Sequence, residues 1–198
     1  MKTMTIKKGG GSKLSQGWKV LEVSKATYST YEGERVLDMW FKDLPENLNV
    51  RVYAKVNKAG EEWAIAQVFR FANAGLKESL TSANGDMVVQ FDDSPDNLVG
   101  KHINVYLHPD PKNEKYNRVL RQMAPTVFEN AVESFTDDDV AYWKKRAETY
   151  YHEFIENNTS NGTSNGFVQE ETLPLSVQGG PAEAVAKVPA TSNEDVPF

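Results

Sequence analysis

The stretch Leu48–Gly75, LNVRVYAKVNKAGEEWAIAQVFRFANAG, changes its hydrophobic period part-way along. In Leu48–Val56 the residues Leu48, Val50, Val52, Ala54 and Val56 alternate with Asn49, Arg51, Tyr53 and Lys55. That two-residue repeat belongs to a strand with one buried face. In Glu61–Ala74 the apolar residues Ile65, Val68, Phe69 and Ala72 fall at i, i+3, i+4 and i+7, the repeat of an amphipathic helix. Glu61 and Glu62 suit its N-terminus and Gly75 its end. A strand followed closely by a helix thus stands near the middle of the chain, and its neighbours decide the fold.

Upstream, Trp18–Tyr28 (WKVLEVSKATY) is rich in strand formers, Ser29–Glu34 reads as a turn around Gly33, and Val36–Lys42 (VLDMWFK) is a second strand. In the latter Leu37, Met39 and Phe41 share a face, with Asp38 and Trp40 on the other. Downstream, Met87–Phe91 is a short strand or loop, and Ser94-Pro95-Asp96 starts a helical turn. Lys101–His108 is a strand with Ile103, Val105 and Leu107 inward and Asn104 and Tyr106 outward. Residues 109–115 form a polar loop and Tyr116–Met123 a last strand. Thr136 and Asp139 open a capping-box helix that runs to Phe154 with the stripe Val140, Trp143, Ala147, Tyr150, Tyr151 and Phe154. The order is β-β-β-α-β-β-α. Mainly β with helices, and a helix between the third and fourth strands, is the layout of a five-stranded OB-fold barrel. The domain reading is a basic flexible arm at 1–17, the OB domain at 18–126, a C-terminal helix at 127–156 packing on the barrel or a second subunit, and a disordered linker and acidic tip at 157–198.

The 198 residues carry a formal net charge of −6, which at first opposes nucleic acid as a partner. The charge is unevenly placed. Residues 1–155 hold 21 Lys and Arg against 22 Asp and Glu, a net of −1, while residues 156–198 hold one Lys and six acids, a net of −5. Residues 1–25 hold six Lys and one Glu. A near-neutral body with a basic arm and an acidic tail is the pattern of a binding domain with a separate interaction arm. Cysteine is absent, which excludes disulfides, thiolate metal sites and Cys nucleophiles. No apolar run is long enough to span a bilayer, and the basic start MKTMTIKKGGGSK lacks the apolar stretch of a secretory leader, so a cytoplasmic protein is expected.

Motifs for catalysis are missing. His102, His108 and His152 have no metal-ligand spacing, and there is no G-x-S-x-G, P-loop or G-x-G-x-x-G. No cofactor and no metal are expected. Asp137-Asp138-Asp139 and Asp92-Asp93 are read as a helix start and a turn. The alternating aromatics and cations carry more. Trp40, Arg51, Tyr53, Lys55 and Tyr106 lie opposite the apolar rows of their strands, Tyr28 and Tyr31 flank the first turn, and Lys112, Lys115, Tyr116 and Arg118 sit in or beside the last hairpin loop. Rings stack on unpaired bases while cations follow phosphates, so this set points to single-stranded nucleic acid. OB-folds bind on the strand 2–3 face and the 1–2 and 4–5 loops, where these residues fall.

The chain ends Glu194-Asp195-Val196-Pro197-Phe198. Phe198 offers a ring and a carboxylate together, fitting a partner pocket with an apolar floor and a basic rim. This ending resembles the acidic C-terminal tip of bacterial single-stranded DNA-binding proteins, with Asn193 where another acid is frequent and Val196 for Ile or Leu. The body stretches GWKVLEVSKATYS at 17–29, FANAGL at 71–76, DNLVGKHINVYL at 96–107 and YNRVLRQMAPT at 116–126 resemble small bacteriophage single-stranded DNA-binding proteins. The resemblance implies a non-enzymatic protein of phage DNA replication, recombination or repair in the host cytoplasm. It implies that the body coats single-stranded DNA and the tip recruits partner proteins, with no membrane partner and a homo-oligomer as an option. Two other readings stand beside it: an adaptor whose barrel binds protein, and a Mg-dependent nuclease using Asp92, Asp93 or the 137–139 run.

Overall fold

The computed structural model describes residues 14–156 apart from 59, 84 and 86. The first 13 residues of the basic arm and the whole linker and tip therefore lie outside the described residues. The elements are β1 (Gly17–Tyr31), β2 (Glu34–Phe41), β3 (Val50–Tyr53), α1 (Ala64–Phe71), β4 (Leu76–Thr81), β5 (Met87–Phe91), β6 (His102–Asp110), β7 (Asn113–Val119), β8 (Phe128–Glu129), β9 (Ser134–Phe135) and α2 (Asp137–Tyr150). A 3-10 turn at Pro95–Leu98 precedes β6, and a π-helical turn at Tyr151–Glu156 extends α2.

Five strands form one antiparallel sheet in the order β3-β2-β1-β6-β7. β6 returns beside β1 after a long connection, so β6-β1-β2-β3 has Greek-key order. β4–β5 and β8–β9 are separate hairpins. The fold is mainly β with two α-helices, and its sheet is open. No backbone ladder joins β3 to β7 among the described residues, so the expected barrel is not closed by hydrogen bonds.

One face of the sheet makes the core. Val23, Ala26, Leu37, Met39, Phe41, Val50 and Val52 pack with Ile103 and Val105 against Ile65, Val68 and Phe69 of α1. Each fully buried aliphatic or aromatic side chain contributes about 1.5–3 kcal/mol relative to exposure. β1 is long enough to serve two partners. Its first half pairs with β6 and its second with β2, and a bulge between Val23 and Lys25 shifts the alternation where the two halves meet.

Several boundaries differ from the sequence reading, each for a local reason. β1 continues through Tyr31, and the turn shrinks to Glu32 and Gly33, both at positive φ (52° and 87°), a two-residue hairpin turn. β3 ends at Tyr53 because the next residues pair elsewhere: Trp63 N–H donates to Lys55 O at 3.0 Å, and Val56 bridges Glu62. This takes Glu61 and Glu62 out of the helix. Glu62 still serves the N-terminus of α1, its carboxylate accepting from the Ile65 and Ala66 N–H groups at 2.8 and 3.2 Å. β4 has no clear apolar alternation (LKESLT) and owes its extended form to pairing with β5. β7 starts at Asn113, so Lys115 lies in a strand and the loop contracts to Pro111 and Lys112.

The helix read from Thr136 begins at Asp137, and the β8–β9 hairpin occupies part of the stretch between 127 and 136. Thr136 and Asp139 form the capping box read from the sequence. Buried Glu133 follows β8 and receives Arg70 Nε at 3.0 and 3.1 Å, fastening this segment to α1. α2 then crosses two regions. Its first half sets Trp143 against Phe71, ring centroids 4.9 Å apart. Its end buries Ala147 and Tyr151 with Leu120, Trp18 and Tyr106 on the second face of the sheet. Among the described residues no helix is long and apolar enough to cross a membrane.

Candidate nucleic-acid interface

Directly opposed residues of an antiparallel pair share a face, so the register assigns every strand residue a side. On the side away from the core, successive rows read Tyr31 and Glu34; Ser29, Val36 and Tyr53; Thr27, Asp38 and Arg51; Lys25 and Trp40. Tyr31, Trp40, Arg51 and Tyr53, four of the residues singled out from the sequence, therefore lie on one continuous surface. α2 and its π-helical turn pack over Trp18 and Tyr106 on the other half of this face; on the β2–β3 half Val36 and Asp38 are buried, Trp40 and Tyr53 are half-buried and Tyr31 is exposed.

The rings and cations of the β2–β3 half are interleaved. Tyr31 is 41% exposed, and its ring meets that of Tyr53 edge-on at 6.2 Å between centroids. The Arg51 guanidinium lies over Tyr31 at 4.9 Å and that of Arg121 over Tyr53 at 5.0 Å. Lys25 Nζ lies 4.7 Å from the centre of the Trp40 ring, whose Nε1–H donates to Glu46 O at 3.1 Å. Lys55 belongs to the same neighbourhood. Burial pushes its ammonium pKa down, and the nearby Arg121 charge pushes it further the same way, while Glu34 opposes both.

Arg51 differs from its neighbours. Nε donates to Asp38 Oδ1 at 2.7 Å and Nη2 to Asp38 Oδ2 at 3.1 Å, and Ser29 Oγ donates to Oδ2 at 2.8 Å. Asp38 is 5% exposed although it lies on the outer face, because Arg51 covers it. The hydrogen bonds to Asp38 raise the Arg51 pKa above its ordinary value.

No protein-family model, curated protein or solved structure matches this chain.

Three of the singled-out aromatics belong elsewhere, two of them in packing contacts. Tyr28 shares its row with Leu37 and Val52, on the core side. Its hydroxyl donates to Asp93 O at 2.9 Å and Arg35 lies over its ring at 3.8 Å. Burial, ahead of the opposing Arg35 charge, pushes its phenol up to about 12, so it stays a neutral donor that ties β1 to the segment after β5. Tyr106 points outward as expected but is covered. It packs between Trp18 and Tyr151, at 5.4 and 5.6 Å between centroids.

The hairpin set stands apart. Tyr31 pairs across the β1–β2 turn, whereas the β6–β7 turn lies beyond Gly17, which pairs with Leu107. Fourteen residues of β1 separate these points, about 46 Å along the strand. Lys112 lies in the turn, Lys115 and Tyr116 are exposed on β7 (Tyr116 at 62%), and Arg118 pairs with Asp110 at 2.8 Å. Arg121 and Lys25 were not singled out from the sequence. Lys25 was legible as the residue beside a strand Trp only once register is known, and Arg121 lies past the end of β7.

Three of the acidic residues considered for catalysis are engaged in structure, and Asp137 and Asp138 stand exposed in the first turn of α2. Asp139 completes the cap of α2, Asp93 pairs with Arg35 at 2.7 Å, and Asp92 accepts from Ser94 N–H at 3.0 Å. Among the described residues no group of three or more His, Asp or Glu is placed to hold a metal ion.

Proposed function

We propose that this protein binds single-stranded DNA with little sequence preference, through the β2–β3 half of an OB-type sheet, without catalysing a reaction. The observation that carries the reading is the shared surface of Tyr31, Tyr53 and Trp40 with a cation over each ring, left uncovered by α2. Unpaired bases offer both π-faces, so rings presented this way accept them irrespective of sequence, while a duplex keeps its bases stacked inside. Strand order also supports an OB-type module: a Greek-key sheet of five strands, with a helix following the third, whose two edges approach through Arg121 and Tyr53.

In this reading the basic arm adds phosphate contacts and the tip Glu194–Phe198 recruits replication, recombination or repair proteins of a bacteriophage. With about 4–6 phosphates neutralised, log affinity falls against log salt with a slope of roughly −3 to −4. The test is a titration of single-stranded and duplex oligonucleotides against the full chain and a chain cut after residue 156. The full chain binds the single strand tightly and the duplex weakly. The cut chain binds the single strand more strongly, because the acidic segment 157–198, net −4, is gone, and no longer captures partner proteins. Equal affinity for both DNA forms overturns the reading.

A further inference from the structure

Asp38 is a buried carboxylate in the middle of a surface read as a DNA-binding face. An acid there opposes phosphate, so its position calls for a reason. It does not close the core, since it lies on the outer side of β2 opposite Arg51 and Thr27. It accepts both prongs of Arg51 and the hydroxyl of Ser29, which fixes the guanidinium plane where it meets the Tyr31 ring. The Arg51 side chain keeps 35% of its surface exposed, against 6% for Asp38. The guanidinium is therefore in reach of a ligand, but its charge is already matched.

We infer that Asp38 is a positioning residue that sets strand specificity: it holds Arg51 as a flat partner for rings and bases and withholds its charge from phosphate. The inference rests on the single-stranded DNA reading above. The physical reason is selectivity by subtraction. Phosphate attraction is indifferent to strandedness and serves duplex as well as single strand. Stacking requires unpaired bases. A face that keeps its central arginine neutralised gains from bases more than from backbone, which favours single strands over duplex.

The consequence is measurable in salt dependence. Each phosphate neutralised contributes about 0.7 to the log–log salt slope for single strands and about 0.9 for duplex. Asp38→Asn keeps the shape and one acceptor but removes the countercharge. D38N should steepen the single-strand slope by about 0.7, an additional affinity loss of about 2.6-fold between 50 and 200 mM salt. Its preference for single strand over duplex should narrow, because the freed Arg51 charge serves both. Arg51→Gln keeps a donor to Asp38 and should lower single-strand affinity while leaving the slope at the wild-type value. Thermal melting establishes that each variant is folded, and either variant alone tests the idea if the other does not fold. A D38N slope and strand preference equal to wild type, or an R51Q slope shallower by about 0.7, overturns the inference. Wild-type binding with these outcomes leaves the single-stranded DNA reading intact, whereas absence of wild-type binding removes both.

Discussion

The Arg121 guanidinium lies 5.0 Å from the centre of the Tyr53 ring, although Tyr53 ends β3 at one edge of the sheet and Arg121 follows β7 at the other. Side chains thus span a gap that backbone hydrogen bonds leave open. A cation over a phenol ring is worth about 0.5–1 kcal/mol at an exposed site, enough to orient the ring but too little to close a barrel. On the proposed reading, Tyr53→Ala lowers single-stranded DNA affinity by about 1–3 kcal/mol, the size of one base–ring stack. Arg121→Gln lowers it less. Anisotropy titrations at fixed salt measure both, and an unchanged Y53A affinity excludes Tyr53 from the interface.

Trp40 reports on the same surface from its other end. Of the four tryptophans, Trp18 and Trp143 are held in packing contacts beneath or within α2, and half-buried Trp63 stands at the N-terminus of α1, off the strands that carry the rings. Single-stranded DNA should therefore quench intrinsic fluorescence mainly through Trp40, and Trp40→Phe should abolish most of the quenching while the phenyl ring preserves part of the affinity. Full quenching in W40F would show that bases bind elsewhere.

Gly75 tests how the connection after α1 is built. Its φ is +65°, and a Cβ there would lie 2.2 Å from Asp92 O. Gly75 O also accepts from Asp92 N–H at 2.8 Å, so the backbones already touch. Gly75→Ala combines a strained backbone with a clash that no side-chain rotation relieves, and should destabilise by about 2–4 kcal/mol. The melting temperature should fall by roughly 5–15 °C, whereas alanine at Gly33, equally left-handed but in open space, should cost about 1 kcal/mol.

His108 couples the packing of the π-helical turn to pH. It is 4% exposed, its ring lies 4.9 Å from that of Tyr151, and Nδ1 faces Pro109 O at 2.8 Å. Burial lowers its pKa, with Arg118 adding to the shift while Pro109 O and Asp110 oppose it. With the folded-state value depressed, the unfolded chain binds the proton first as pH falls. Stability is fully present above the unfolded pKa of about 6.5 and declines below it, by at most about 1.4 kcal/mol per pH unit. Melting curves from pH 7.5 to 5.5 should show this decline, and His108→Asn, which keeps a donor for Pro109 O, should lose most of the slope even if it starts less stable.

Read along the chain, the residues determine their own periods. The alternation of VLDMWFK and of KHINVYLH sets the core-facing rows of β2 and β6, because neighbouring side chains of a strand must point to opposite sides. The i, i+3, i+4, i+7 spacing of Ile65, Val68, Phe69 and Ala72 buries those four residues in or beside α1, and Thr136 with Asp139 starts α2 where the cap requires. Element ends were less legible, since β3 stops where Lys55 and Val56 find another partner and β4 exists only through β5. What a local pattern does not contain is which outward residue stays outward. Tyr106 and Tyr53 carry the same alternation and both end half-buried, but Tyr106 lies against Tyr151 at the end of α2, whereas Tyr53 meets Tyr31 and Arg121. Tyr28 and Tyr31 are three residues apart, an odd number, and so lie on opposite sides of β1. Asp38 reads as a solvent-facing acid until β3 brings Arg51 across from it. Burial of an outer-face residue is a long-range event, decided by which later element packs there, and it was the tertiary structure that selected the Tyr31, Tyr53 and Trp40 surface from the longer row of aromatics.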